Sequence, residues 1–204
     1  NTKVVTANIQ PDHKAVLEGE QEQVLTQQTQ LPMRVNDVVL QLGPKSFFQT
    51  STPMAARLYA TARDWVTDAA PERVVDLYCG VGGFAHHVAA PGRQVHGVEL
   101  SAEAIECARL VGTPGATFEV ADAAQLSVPQ ADLVIVNPPR RGIGELADAL
   151  EASGVERIIY SSCNPQSLSR DLAQLASYDV ERAQLFDMFP QTEHCEVLVA
   201  LRRK

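Results

Sequence analysis

The sequence predicts an α/β protein built on a doubly wound, mostly parallel sheet, and three observations predict it. From Arg73 onward, short apolar runs alternate with helical patterns. A glycine-rich turn, Gly80-Val81-Gly82-Gly83, leaves the first of these runs, and an acid, Glu99, closes the second. The last two runs are joined by a loop at 190–194, too short for a crossover helix, so they are predicted to be antiparallel.

The elements follow in order. Residues 1–48 hold β-prone pieces at 4–9, 23–26, 33–35 and 38–42, with Asn36-Asp37 as a hairpin turn between the last two. This stretch is rich in Gln and Glu, shows little core of its own, and reads as the remnant of a β-rich central domain; 49–204 form the second domain. Thr52 is the expected N-cap of a helix with Pro53 at its first position, and Met54, Leu58, Ala62, Trp65 and Val66 give that helix an apolar face. Strands are predicted at 74–78, 95–100, 117–121, 133–136, 155–160, 180–186 and 197–201. Helices are predicted at 84–89, 102–110, 145–152 and 167–176. Seven strands ending in an antiparallel pair follow the usual plan of the class I S-adenosylmethionine methyltransferases, a Rossmann-like sheet. In that plan the last strand inserts beside the fifth.

Composition narrows the function. The chain has 204 residues, 45% of them hydrophobic, and no apolar run that spans a bilayer, so no membrane partner is expected. Cysteines at 79, 107, 163 and 195 lack paired metal spacing, which suggests reduced thiols and a cytoplasmic protein. The net charge of −8 argues against broad electrostatic binding of nucleic acid; an RNA substrate would need local arginines or a further domain. The chain opens on Asn1, which suggests a piece of a longer protein. A monomer is expected.

Four motifs carry the chemistry. Asp76-Leu77-Tyr78-Cys79-Gly80-Val81-Gly82-Gly83-Phe84 turns a strand into a helix, and its glycines admit a ligand close to the backbone. Such turns also serve packing alone, but Glu99 stands 19 residues after Gly80, where nucleotide-binding folds put an acid for the ribose hydroxyls. That pair leaves NAD open, and the terminal hairpin favours S-adenosylmethionine. Asp122 ends the third strand and is either an adenine ligand or a turn residue. Asn137-Pro138-Pro139-Arg140 leaves the fourth strand, its prolines removing N–H donors so that the Asn137 amide and carbonyls face a ligand. Asn-Pro-Pro followed by an aromatic marks methylation of exocyclic amines on bases, but here Arg140 takes the aromatic position. Cys163 follows the fifth strand in Tyr160-Ser161-Ser162-Cys163-Asn164-Pro165, a polar setting. A helix starting near Gln166 is expected to lower its pKa. Cys79, Cys107 and Cys195 read as structural, and the five histidines as ordinary surface or core residues, with His194 supporting the loop before Glu196. The class I plan brings Cys163, Glu196 and Asn137 to one edge of the sheet.

These motifs, together with Phe47-Phe48-Gln49-Thr50, the lead-ins Asn8-Ile9-Gln10-Pro11 and Glu18-Gly19-Glu20-Gln21, and the run Asp187-Met188-Phe189-Pro190-Gln191-Thr192-Glu193-His194-Cys195-Glu196, resemble the RNA uracil-5 methyltransferases over nearly the whole chain. The phrasing is most like members that act on 23S ribosomal RNA. The resemblance implies a nucleophile at Cys163, a base at Glu196, and S-adenosylmethionine contacts at Gln49, Tyr78, Glu99 and Asn137. It implies methyl transfer to C5 of a uridine through a covalent cysteine–C6 intermediate. Family members usually carry amino-terminal cysteines for a [4Fe–4S] cluster, which this chain does not contain, and an apolar or aromatic residue where Cys195 stands. Two rival functions are an N-methyltransferase working through Asn137-Pro138-Pro139, and a non-catalytic module that binds cofactor or RNA.

Overall fold

A computed structural model describes every residue except 1, 12–18, 20, 126 and 129. His13, Glu18 and Glu20 therefore lie outside the described residues. Two antiparallel hairpins come first. β1 (Thr6–Ile9) pairs with β2 (Gln21–Val24), and β3 (Leu31–Val35) pairs with β4 (Val38–Leu42) around Asn36, which takes the left-handed φ of 53° that the tight turn needs. α1 (Thr52–Ala69) follows.

The sheet takes shape from β5 (Arg73–Leu77), β6 (Gln94–Glu99), β7 (Ala116–Val120), β8 (Leu133–Val136), β9 (Arg157–Ser162), β10 (Tyr178–Phe186) and β11 (Glu196–Arg203). Their order is β10-β11-β9-β8-β5-β6-β7. β5 to β9 run parallel, while β11 is antiparallel to both β9 and β10. This is the predicted class I plan, preceded by the small β segment. Strand ends differ from the sequence reading by one or two residues, because pairing with neighbours rather than local pattern sets where a ladder stops.

The strand period of two assigns the faces. Val74, Leu133, Ile135, Ile159 and Leu198 point to one side, where α1, α2 (Gly83–Val88) and α3 (Ala102–Val111) cover them. Val75, Leu77, Val134, Val136, Ile158, Tyr160, Val199 and Leu201 point to the other, under α4 (Leu146–Ser153) and α5 (Pro165–Gln174). Val35 and Leu40 from the second hairpin are buried in the first of these cores, so this stretch contributes packing that its polar composition did not reveal.

Caps fix the helices where the site needs them. The cap of α1 is Ser51, not Thr52: the Ser51 hydroxyl reaches the Met54 amide (3.4 Å), and Thr52 and Pro53 take the first two helical positions. The N-cap of α2 is Gly82, which has no capping side chain, and Asp76 on β5 supplies the missing acceptor to the Ala85 amide at 2.9 Å. Asn164 caps α5 by accepting from the Gln166 amide at 3.1 Å, and Pro165 enters its first turn. Among the described residues no helix is long and apolar enough to cross a membrane.

Leu40 is fully buried beside α1–α3 although it belongs to the hairpin. Leu40→Ala is expected to lower the unfolding free energy by about 2–5 kcal/mol, as urea denaturation would measure. A change close to zero would show that the hairpin is not docked in this core.

Candidate active site

The carboxyl ends of β5, β6, β8 and β9 open on one edge of the sheet, and the predicted residues gather there. Tyr78 directly follows β5 with φ of 61°, a left-handed conformation that a non-glycine side chain adopts at a cost. Gly80 (φ 54°) and Gly82 (φ 82°) continue the turn, and a Cβ on Gly80 would meet no atom within 4 Å, so open space lies directly over the backbone there. Glu99, the last residue of β6, ties this turn in place: one oxygen accepts from the Gly80 amide at 3.2 Å and the other from the Ser101 amide at 3.0 Å. Each oxygen keeps a second lone pair for a ligand hydroxyl. Asn137 directly follows β8, half-buried, with its amide N–H on the Leu77 carbonyl at 3.3 Å. An open glycine cradle with a carboxylate at its rim suits the ribose of a nucleoside cofactor.

Beneath this turn Asp76 is fully buried, and Oδ1 has no hydrogen-bond partner among the described residues. Burial pushes its pKa up to about 8, partly opposed by the Ala85 amide and reinforced by nearby Glu99. Asp122 accepts from the Ala124 amide at 3.0 Å through Oδ1, a turn-capping hydrogen bond that leaves its second oxygen for a ligand.

The second half of the site forms where β11 pairs with β9. Val197 lies opposite Ser162 and Leu198 opposite Ser161. Continuing that register by one step sets Glu196 opposite Cys163, on one face of the sheet. Glu196 is 2% exposed, and the Ser161 hydroxyl donates to its Oε1. Burial pushes its pKa up to about 7, and the Ser161 hydrogen bond restrains the rise. Cys163 is half-buried, and its pKa is raised rather than lowered: burial is the main cause, Glu196 adds to it, and Arg140 opposes it. The expectation of a depressed thiol pKa is thus corrected. A helix start favours a thiolate, but burial and the neighbouring Glu196 carboxyl act against it.

Two further segments frame the pair. Gln49 is buried in the lead-in to α1, and its neighbour Thr50 donates to the Met188 carbonyl at 3.2 Å, so this lead-in lies against the 187–195 loop. His194 in that loop accepts from Arg140 at 3.0 Å through Nδ1 and stacks edge-on with Phe189. Cys79 and Cys107 are buried. Sequence reasoning missed the partnership of Ser161 with Glu196 and of Asp76 with α2. The signals were present as polar residues at the ends of otherwise apolar strands.

Sheet order, glycine turn and strand-end acid define the fold of the S-adenosylmethionine-dependent methyltransferases. Comparison with known proteins narrows the class. The family described as tRNA (Uracil-5-)-methyltransferase matches residues 115–204, and a general methyltransferase domain matches 74–154. The 23S rRNA (uracil(747)-C(5))-methyltransferase RlmC of Yersinia pseudotuberculosis is 51% identical over 98% of this chain and 56% of its own length. RlmC of Vibrio cholerae is 51% identical over 99% of this chain and 56% of its own length. The Pyrococcus abyssi tRNA (uracil-54, C5)-methyltransferase, solved with S-adenosyl-L-homocysteine, superimposes with a TM-score of 0.87 at 32% identity, over 98% of this chain and 51% of that one. The chain belongs to the tRNA and rRNA uracil-5 methyltransferase family. It spans 56% of the length of these curated relatives.

The raised pKa of Glu196 has a defined effect on stability. The folded state holds this proton up to about pH 7, whereas the ordinary value is 4.5. Its contribution is fully present below the ordinary value and is lost as pH rises through about 7. Glu196→Gln removes this loss, so relative to the parent it gains roughly 3 kcal/mol between acidic and neutral pH. Denaturant unfolding of both proteins at pH 5 and pH 8 checks this. Parallel pH dependence would show that Glu196 ionises freely.

Proposed function

We propose that this chain transfers a methyl group from S-adenosylmethionine to C5 of a uridine in 23S ribosomal RNA, through a covalent bond between Cys163 and C6. The observation that carries this reading is the pairing of β11 with β9, whose register brings Glu196 beside Cys163, at the same edge of the sheet as the glycine turn. The 51% identity to 23S rRNA methyltransferases named RlmC supports the RNA, as does the motif phrasing, which most resembles RumB, a 23S ribosomal RNA uracil-5 methyltransferase. The reading takes residues 1–48 as part of a β-rich domain and 49–204 as the transfer domain, acting as a cytoplasmic monomer.

Gln49, Tyr78, Glu99 and Asn137 would hold the cofactor, which supplies an electrophilic methyl group. Uracil C5 is a weak nucleophile. Addition of the Cys163 thiolate to C6 pushes electron density onto C5 and O4, turning one hard step into easier ones. Gln49 and Arg140 are the candidate donors to O4. Once C5 carries the methyl group, Glu196 takes the C5 proton and elimination releases the thiolate. A pKa near neutrality suits this base. The order also suits the pair: the thioether adduct carries no charge, so Glu196 ionises more easily at the stage that needs it. The target base must leave its stack to reach the thiol. Arg140, Arg141 and Arg170 are exposed around this edge and would meet the backbone phosphates of an otherwise repelled RNA.

Two measurements test the reading. With methyl-labelled cofactor and ordinary RNA, Cys163→Ala is expected to give neither product nor adduct. Glu196→Gln is expected to give a methylated protein–RNA species that persists on a denaturing gel. Normal turnover by Glu196→Gln would remove Glu196 from the mechanism. Methylation of an exocyclic amine by Cys163→Ala would replace it with N-methyl transfer. In calorimetry, Glu99→Ala is expected to weaken cofactor binding by roughly 1.5–3 kcal/mol through lost charge-assisted hydrogen bonds. Cofactor binding without either chemistry would leave a binding module.

A further inference from the structure

We propose that Asp171 is a positioning residue of this site: it fixes the loop that carries Arg140 against the helix that begins beside Cys163. The inference rests on the reading of Cys163 as the nucleophile and adds a residue outside the motifs that define the reaction.

Asp171 lies in the second turn of α5 and is 1% exposed. A carboxylate this deep needs partners. Arg170 of its own helix lies 3.6 Å from Oδ1, and the closer partners come from two other elements. Its Oδ2 accepts from the Tyr160 hydroxyl of β9 at 2.7 Å and from the Ile143 amide at 3.0 Å, in the loop that follows β8. The approach of that loop is so close that a Cβ on Gly142 would lie 2.2 Å from the same oxygen, and Gly142 also has φ of 92°. Only glycine permits both. Two neighbours of Asp171 grip the same loop. The Asn164 side chain donates to the Arg140 carbonyl at 2.9 Å, and Arg170 donates to the Arg141 carbonyl at 2.5 Å. The main chain from Arg140 to Ile143 is therefore tied along α5, with Asp171 as its one buried anchor.

The consequence reaches the thiol. Arg140, held by its main chain, extends its guanidinium to His194 at 3.0 Å, in the loop that leads to Glu196. The charged or titratable groups acting on Cys163 are Glu196 from β11, Arg140 from the strapped loop and Cys195 from the loop before β11, and of these only Arg140 favours the thiolate. Loosening the strap should therefore make Cys163 harder to ionise. Asp171 is not among the groups that act on Cys163, so removing its charge by itself should leave the profile where it is. The two explanations predict a shift and no shift.

The test follows alkylation of Cys163 by iodoacetamide against pH, read on the Cys163 peptide by mass spectrometry, with neither RNA nor cofactor present. Asp171→Asn, Tyr160→Phe and Gly142→Ala are compared with Arg140→Ala, and circular dichroism checks that each is folded. Asp171→Asn is expected to move the profile to higher pH and slow alkylation at pH 7 about threefold, a shift of about half a unit. Tyr160→Phe, which leaves every charge in place, should move it the same way. Arg140→Ala should do as much, and adding Asp171→Asn to it should have little further effect. An unchanged or lowered profile in folded Asp171→Asn and Tyr160→Phe overturns the proposal, as does full additivity with Arg140→Ala. Should Gly142→Ala fail to fold, the other variants decide. Alkylation does not depend on methyl transfer. A shifted profile alongside a Glu196→Gln variant that traps no adduct would therefore sink the proposed reaction and leave the strap standing.

Discussion

The insertion of β11 between β9 and β10 is the interaction on which the site depends. Its antiparallel ladder is fixed at six positions against β9, from Val197 opposite Ser162 to Arg202 opposite Arg157. A slip of one residue would turn Leu198 and Leu201 out of their separate cores and exchange the faces of the strand. The apolar pattern of β11 therefore guards the register, and the register guards the place of Glu196 relative to Cys163. Chemistry at the mouth of the sheet is held by hydrophobic packing along its whole length.

Three buried carboxyls mark where this fold accepts a cost. Asp76, Asp171 and Glu196 are each 2% exposed or less. Each sits at a junction between elements: Asp76 joins β5 to the start of α2, Asp171 joins α5 to β9 and the loop after β8, and Glu196 joins β11 to Ser161 on β9. Their hydrogen bonds hold in place the segments around the cleft, where apolar packing gives out and loops must still be precise. Asp76 and Glu196 pay through raised pKa values, which burial dictates. For Glu196 the same burial gives a group able to exchange a proton near neutrality.

The electrostatics of the chain divide between its whole and its edge. A net charge of −8 repels a polyanion, yet Arg140, Arg141 and Arg170 stand together at the edge where Cys163 lies. Two of these arginines also serve the structure. Arg170 holds the Arg141 carbonyl, and Arg140 reaches His194. The basic patch is thus built into the loop architecture rather than added to its surface.

The strand and helix alternation, the antiparallel end of the sheet, and the placing of Tyr78, Gly80, Glu99, Asn137, Cys163 and Glu196 at one sheet edge were legible in the chain. They were so because period, glycine turns and strand-end positions are local properties, and the topology that joins them follows from loop lengths. The sequence did not show that Ser51 rather than Thr52 caps α1, that Val35 and Leu40 belong to the main core, or that Asp122 satisfies its own turn. Nor did it give the direction of the Cys163 pKa, for which a helix start pointed one way and burial beside Glu196 the other. The Ser51 cap and the Asp122 turn are local choices among neighbouring polar residues, and the rest was decided by tertiary structure. Burial and hydrogen-bond partnership depend on residues distant in the chain, such as Asp171 with Ile143 and Gly142, and no local pattern carries the desolvation that sets a buried group's charge.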